Sequence, residues 1–352
     1  MKKLVKVGNV SLGDGQVYVQ SMLKKPADDI EGNINQAKRL FEFGCEIIRV
    51  AVPSVDDARL VSALKNALPT FPLVADIHFD YKIALAAISA GADKIRINPG
   101  NIGGIDGVKA VAHACKARGI PIRVGVNSGS LEKELLVKYK GVTAEGLAES
   151  AKKQIALLNR FEFDDIVLSV KASDVKLNIA ANRLLFKETH YPLHIGVTES
   201  GLERAGLIKS AAGIGGLLCD GIGDTIRVSL TATPELEVQA AYDILAALRI
   251  KKPNRPRVNL ISCPTCGRTK IDLLSLTEKA KAALAGINKD ITVAVMGCAV
   301  NGPGEAKEAD YGIAGGDGEG IIFIKGEIVK KVKESELLEK LLYIINCHQE
   351  EM

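Results

Sequence analysis

The stretch "PLVADIHFDYKIALAAISAGADKIRIN", residues 72–98, decides how the first part of the chain is read. Two short apolar runs, "PLVADIH" (72–78) and "DKIRIN" (93–98), flank a segment of helical character. The same unit recurs along the chain. "VYVQSM" (17–22), "EIIRVAV" (46–52), "PIRVGVN" (121–127), "DIVLSVK" (165–171), "PLHIGVT" (192–198) and "TIRVSLT" (225–231) bring the strand runs to eight. Amphipathic stretches follow them; Val108, Val111, Ala112 and Cys115, for example, recur at helical spacing. Near-continuous apolar strands separated by helices indicate a parallel sheet covered on both faces. Eight units in about 250 residues match a closed, TIM-like (β/α)8 barrel. An open doubly wound sheet is the rival, and the regular count favours closure.

The barrel is expected to span residues 1–250. "RIKKPNRPR" (249–257) is a Pro- and Lys/Arg-rich break, with 251–257 read as linker. The texture then changes to a smaller α+β domain over 258–352. "VNLIS" and "TVAVM" read as strands, "IIFIKGEIVKKV" as a hairpin and "SELLEKLLYIIN" as a closing helix. Ser275-x-x-Glu278 has the form of a capping box opening another helix.

Composition narrows the function. The 352 residues carry a net charge of +4 (46 basic against 42 acidic), too small for a nucleic-acid footprint. Aromatics are 4% with no Trp, so platforms for stacking bases are poorly supplied. The basic opening "MKKLVKVGN" lacks an apolar core and predicts no signal peptide, and no run is long enough to span a bilayer. A cytoplasmic protein is expected. Its seven cysteines suggest free thiols or metal ligands rather than a disulfide framework.

Arginine follows isoleucine inside four of the apolar runs, as Arg49, Arg96, Arg123 and Arg227, and Lys171 ends a fifth. Any one of them could be a structural ion pair. Together they face two carboxylates at the strand ends, Asp76 and Glu199, which leaves a surplus of cations at the mouth where barrel active sites form. A small polyanion, most naturally a diphosphate, resolves that surplus, and Arg suits bidentate phosphate contact. Asn98, Asn127 and Ser229 add neutral donors. Asp76 and His78 read as polar positioning groups, being too few for a metal site. Glu199 could act as acid or base, or could neutralise Arg123 or Arg227. The glycines of "AAGIGGLLCDGIGD" (211–224) read as turn and packing residues, and Cys45, Cys115 and Cys219 as buried small hydrophobes.

"SCPTCGR" (262–268) and "MGCAVNGPGEA" (296–306) supply Cys263, Cys266 and Cys298. Three thiols are an incomplete set. A zinc site with four thiolates would have to recruit Cys347 from the last helix, and a dithiol redox motif would want a thioredoxin-like setting. A 4Fe-4S cluster with three thiolates and a different fourth ligand fits better. Glu305 follows a Gly-Pro-Gly turn and is the candidate for that place. A carboxylate there would be exchangeable. Two alternatives remain open: a phosphate-substrate lyase or transferase barrel with a structural zinc domain, and a zinc-stabilised nucleic-acid or partner module.

"ADIHFDYKIAL", "KIRINPGNIG", "IRVGVNSGSL", "HIGVTE", "SCPTCGR" and "MGCAVNGPGEA", in this order, resemble the 4-hydroxy-3-methylbut-2-enyl diphosphate synthases of the non-mevalonate isoprenoid pathway, in their short two-domain bacterial form. The resemblance covers essentially the whole chain. It implies reductive ring opening and dehydration of 2-C-methyl-D-erythritol 2,4-cyclodiphosphate. It implies a 4-iron cluster held by Cys263, Cys266, Cys298 and Glu305, and a diphosphate received by Arg49, Arg96, Arg123, Lys171, Arg227 and Ser229. Asp76, His78, Asn98, Asn127, Thr198 and Glu199 fall on family pocket positions, with Glu199 the candidate proton donor. Flavodoxin or ferredoxin would supply electrons. A homodimer with shared active sites is expected on two grounds. The family implies it, and a linker over 249–257 spans at most ~30 Å, too little to carry the tail domain comfortably over its own pocket.

Overall fold

In a computed structural model of the protein, residues 2–252, 256–299, 304 and 306–347 are described. The chain divides into two compact units, Met1–Asn254 and Arg255–Met352. The first unit opens with a small antiparallel hairpin, β1 (Val5–Val7) and β2 (Val10–Leu12). Eight parallel strands follow: β3 (Tyr18–Met22), β4 (Ile47–Ala51), β5 (Leu73–Asp76), β6 (Lys94–Ile97), β7 (Ile122–Asn127), β8 (Ile166–Lys171), β9 (His194–Ile195) and β10 (Thr225–Ile226). They pair in chain order from β3 to β8. β10 pairs with both β3 and β9, and a parallel bridge from Leu168 to Leu193 closes the circle. The barrel is therefore closed, as the eight repeated units require.

Strands β5, β6 and β8 are buried at every residue, which is why their sequences run apolar instead of alternating. Four of the helices after the strands begin on side-chain caps; Asp29, Asp80, Thr143 and Asp174 each accept a backbone N–H of the first turn. The glycine-rich segment expected as packing lies mostly in the helix Glu203–Cys219, where a Cβ on Gly213 would stand 2.5 Å from Val197. Regular pairing in β9 and β10 spans two residues each, much less than the expected runs. Beyond β9 the chain turns at Glu199, whose φ is +50°.

The N-terminal hairpin did not stand out in the sequence. Val5, Val7 and Leu12 pack on Ile47, Val74 and Val167, residues at the starts of β4, β5 and β8, so the hairpin stops the N-terminal end of the barrel. The basic opening is tied down there: Lys2 pairs with Asp224 at 2.9 Å and Lys3 with Asp164 at 2.6 Å. Lys251 reaches back to Glu46 at 2.6 Å, so the chain leaves the barrel at this same end, away from the strand C-termini.

The second unit is a five-stranded mixed sheet: β11 (Asn259–Ser262), β12 (Thr292–Met296) and β13 (Tyr311–Gly315) parallel, then β14 (Glu319–Ile324) and β15 (Glu327–Lys333) antiparallel. The helices Leu273–Leu284 and Leu337–Cys347 pack on it. One expectation needs correction, and one strand was not foreseen. The first helix starts before Ser275; Asp272 is its cap and accepts the N–H of Ser275, so no capping box opens at Ser275. The glycine-bearing "YGIAG" is a central strand. Its glycines are required by packing, since a Cβ on Gly312 would strike the Phe323 ring and one on Gly315 would strike Ile271. No helix among the described residues is long and apolar enough to cross a membrane.

Candidate active site

Inward-facing residues at the C-terminal ends of the barrel strands line a cavity of about 120 Å³. Arg49, Arg96, Arg123, Asn127, Lys171, Thr198, Arg227 and Ser229 share its wall. Strand register creates the cluster. Asp76 pairs with Arg96, Arg96 with Arg123, and Asn127 with Lys171 across neighbouring strands, so these side chains fall on one face.

Asp76 ties two of the cations. Its Oδ1 accepts from Arg96 Nη1 at 3.0 Å, and its Oδ2 pairs with Arg49. His78 is exposed and joins through Nε2, 3.0 Å from Arg96 Nη1 and 3.4 Å from Asp76 Oδ2. Burial pushes the Asp76 carboxyl up, but Arg49, the His78 hydrogen bond and Arg96 outweigh it and hold the group well below its usual range. Among the described residues Arg123, Lys171 and Arg227 have no carboxylate partner, and even the tied arginines keep buried donors free. Among the described residues Arg123 Nε and Nη1, Arg96 Nε, Arg49 Nε and Arg227 Nε are buried without a hydrogen-bond partner. Burial, then Arg227, Arg123, Arg49 and Arg96, press Lys171 well below its ordinary value, and burial with Arg49 takes Arg227 down to about 10.

Glu199 does not neutralise these cations. It is exposed, makes no ion pair with Arg123 or Arg227 among the described residues, and lines an adjoining cleft with Asn127 and Thr198. Its positive φ is uncommon for a residue with a side chain and fixes where the carboxylate leaves the backbone. Asn98 stands apart from the cavity wall and caps the turn at 99–101, accepting from Gly100 N at 3.1 Å.

The sequence reading missed part of the site. Gly125 and Gly196 are cut-outs for the cations: a Cβ would lie 2.8 Å from Arg96 Nε at the first and 2.9 Å from Lys171 Nζ at the second. Glycine inside "RVGVN" and "HIGVT" is the available signal for such a close approach. Ser169 also lines the wall. Lys94, wholly buried, is a sixth cation deeper in the barrel, and His194 is wholly buried beside it. Period two from Arg96 points to Lys94.

In the second unit, parallel pairing of Ser262 with Val295 brings Cys263 beside the segment that ends β12. Gly297 N donates to Cys263 Sγ at 3.2 Å, and Cys298 follows directly. Lys270 N donates to Gly297 O at 3.0 Å, which ties the turn bearing Cys266 to the same segment. Cys263 and Cys298 are half-buried and Cys266 is exposed, all as free thiols. Glu305 lies outside the described residues. Among the described residues no three Cys, His, Asp or Glu side chains stand close enough together to hold a metal ion. Cys45 and Cys115 are buried as expected, whereas Cys219 is exposed because it ends its helix.

Residues 2–242 match the family described as the GcpE TIM-barrel domain, and 259–347 that described as the GcpE protein C-terminal domain. The 4-hydroxy-3-methylbut-2-en-1-yl diphosphate synthase (flavodoxin) of Caldicellulosiruptor saccharolyticus is 53% identical over 343 residues, 97% of each chain. That of Caldanaerobacter subterraneus subsp. tengcongensis is 55% identical over 346 residues, 97% of this chain and 96% of the relative. Among solved structures, Xanthomonas albilineans dihydropteroate synthase with 4-aminobenzoic acid aligns with TM-score 0.51 at 15% identity, covering 70% of this chain and 97% of that one. That likeness shows the barrel alone. With both units matched in order and full-length relatives at half identity, the chain belongs to the GcpE family.

Proposed function

We infer that this chain opens the ring of 2-C-methyl-D-erythritol 2,4-cyclodiphosphate reductively and releases (E)-4-hydroxy-3-methylbut-2-enyl diphosphate and water. The change consumes two electrons and two protons. The observation that carries the pocket assignment is a wall of buried cations with one carboxylate among them. Unpaired buried cations cost several kcal/mol each, and a ligand bearing two phosphates offsets that cost. Arg49, Arg96, Arg123, Lys171 and Arg227 receive the phosphates, while Asn127, Thr198 and Ser229 fix orientation. Asp76 and His78 hold Arg49 and Arg96 in place, and Asn98 shapes the turn after β6. Glu199, at the edge of this wall, donates the proton that lets the C3 oxygen leave as water.

The donor set in the second unit fits an iron–sulfur cluster: three free thiols lie at neighbouring strand ends, and a backbone N–H already points at the Cys263 sulfur. Cys263, Cys266, Cys298 and Glu305 would hold a 4Fe-4S cluster, which supplies electrons singly from flavodoxin or ferredoxin. We further propose that the enzyme is a cytoplasmic homodimer in which one subunit's cluster domain serves the other's barrel. Two features support this. The chain leaves the barrel at the end opposite the pocket. The segments that follow the barrel strands, loops and helix starts alike, also expose Val55, Phe79, Ile105, Val137 and Leu202, apolar side chains suited to contact with a capping domain.

Anaerobic purification tests the reading. A brown protein that converts the cyclodiphosphate when given reduced flavodoxin is expected. A colourless zinc protein without this activity would overturn it.

A further inference from the structure

A second layer of polar side chains lies inside the barrel beneath the pocket. Lys94 stands two residues before Arg96 on β6, so it faces the same interior about 7 Å deeper. It is wholly buried, and its Nζ has no hydrogen-bond partner among the described residues. The charged or titratable groups facing it are Arg123, Arg49 and His194. No carboxylate among the described residues pairs with it; the neighbouring Asp93 binds Lys65 instead, at 2.8 Å.

An ammonium in that place is stripped of water, and the charged or titratable groups around it among the described residues are cations and an imidazole. Burial first, then Arg123 and Arg49, drive Lys94 well below its ordinary value, and burial with Arg123, Lys171 and Lys94 does the same to His194. A neutral amine carries a lone pair. Arg123, which also lines the pocket above, has Nε and Nη1 buried and unpartnered, so it offers unused donors inside the same barrel. Two phosphates entering the pocket would offset the charge of Arg123 and Arg49, and protonating Lys94 would then cost less.

We propose that Lys94 is a positioning residue: neutral beneath a ligand-free pocket, it supports the Arg123 guanidinium as an acceptor and takes a proton from solvent when the diphosphate binds. The proposal rests on the pocket being the diphosphate site, and its test keeps the two apart. Calorimetric titration of the oxidised holoenzyme with the cyclodiphosphate, without reductant, at a pH near 8, is run in two buffers of unequal ionisation enthalpy. Each phosphoryl group of this ligand has one strongly acidic oxygen, so the ligand itself does not titrate there.

Wild type should take up a net proton on binding. Lys94→Met should lose that share of the uptake and bind about tenfold more weakly, the effect of one charge acting through a partly screened interior. Ligand-free, it should melt near the wild-type temperature, because loss of the acceptor for Arg123 is offset by removal of a buried polar group. Failure of wild type to bind at all overturns the diphosphate site itself. Binding without proton uptake overturns only the role of Lys94, and so does equal uptake in wild type, Lys94→Met and Lys94→Gln. Loss of ligand-free stability in Lys94→Met with affinity and uptake intact would make Lys94 purely structural.

Discussion

The barrel mouth and the cysteine-bearing end of the tail sheet are built by different means. In the mouth, strand register places side chains on one face, and the cations are buried against each other with Asp76 as their tie. At the sheet end, three thiols sit on turns beyond β11 and β12, half-buried or exposed, and among the described residues one N–H, from Gly297, donates to Cys263. The remaining cysteines sharpen the contrast. Burial pushes the Cys45 thiol up to about 12 and raises Cys115 as well, which suits packing and not chemistry. The mouth is thus a site fixed by the fold of one unit. The thiols are an incomplete donor set, which the proposed function completes with Glu305.

Substitution at the sheet end should have the largest effect. Serine at Cys263, Cys266 or Cys298 should abolish both iron content and turnover, read by iron analysis and by visible absorption. Full cluster content in all three variants would break the assignment. Glu305→Ala should reduce turnover more than iron content, because thiolates form the stronger bonds to iron.

At the mouth the effects should separate from the cluster. Glu199→Gln should keep the cluster and bind the cyclodiphosphate, yet lose ~10²–10⁴-fold in turnover, the usual share of a positioned acid. Near-normal turnover would remove Glu199 from the chemistry.

Asp76→Asn acts on the fold of the same region. It leaves Arg49 and Arg96 without their buried partner and should cost about 3–5 kcal/mol in denaturant unfolding of the ligand-free protein. A loss well under ~1 kcal/mol, the scale of a surface pair, would mean that Asp76 does not tie the cations.

The smallest effect concerns pH. Lys171 and Lys94 are held below their ordinary value of 10.5 in the folded protein. Between the lowered folded values and the unfolded one, the unfolded chain binds more protons, so ligand-free stability should rise with pH across that window. Saturating cyclodiphosphate should flatten the rise. A melting temperature that falls over the same window without ligand would contradict the crowding of uncompensated cations.

Much of this was legible in the sequence because it rests on local patterns. Eight apolar runs at regular spacing predict the barrel, and arginines inside them predict a charged mouth. What stayed hidden depends on contacts between distant residues. The β1–β2 hairpin has strands of three residues each, too short for periodicity, and only packing on Ile47, Val74 and Val167 gives it a role. Strand β13 has no place among the expected elements, because Gly312 and Gly315, which make room for Phe323 and Ile271, interrupt its apolar pattern. Lys94 passes for a solvated residue at a strand start until register turns it inward. Glu199 was placed among the cations by its position, and its left-handed backbone sends it to the edge instead.

In the proposed homodimer these two differently built regions form one site across two subunits. Glu199→Gln and Cys298→Ser chains, each inactive alone, can be mixed, dissociated and reassembled, with subunit exchange shown independently by mass-tagged chains. Random pairing makes about half the dimers mixed, each with one intact and one doubly defective site, so turnover should recover to about a quarter of wild type. Exchange without any recovery would contradict the account, because it would place both halves of each site in the same chain.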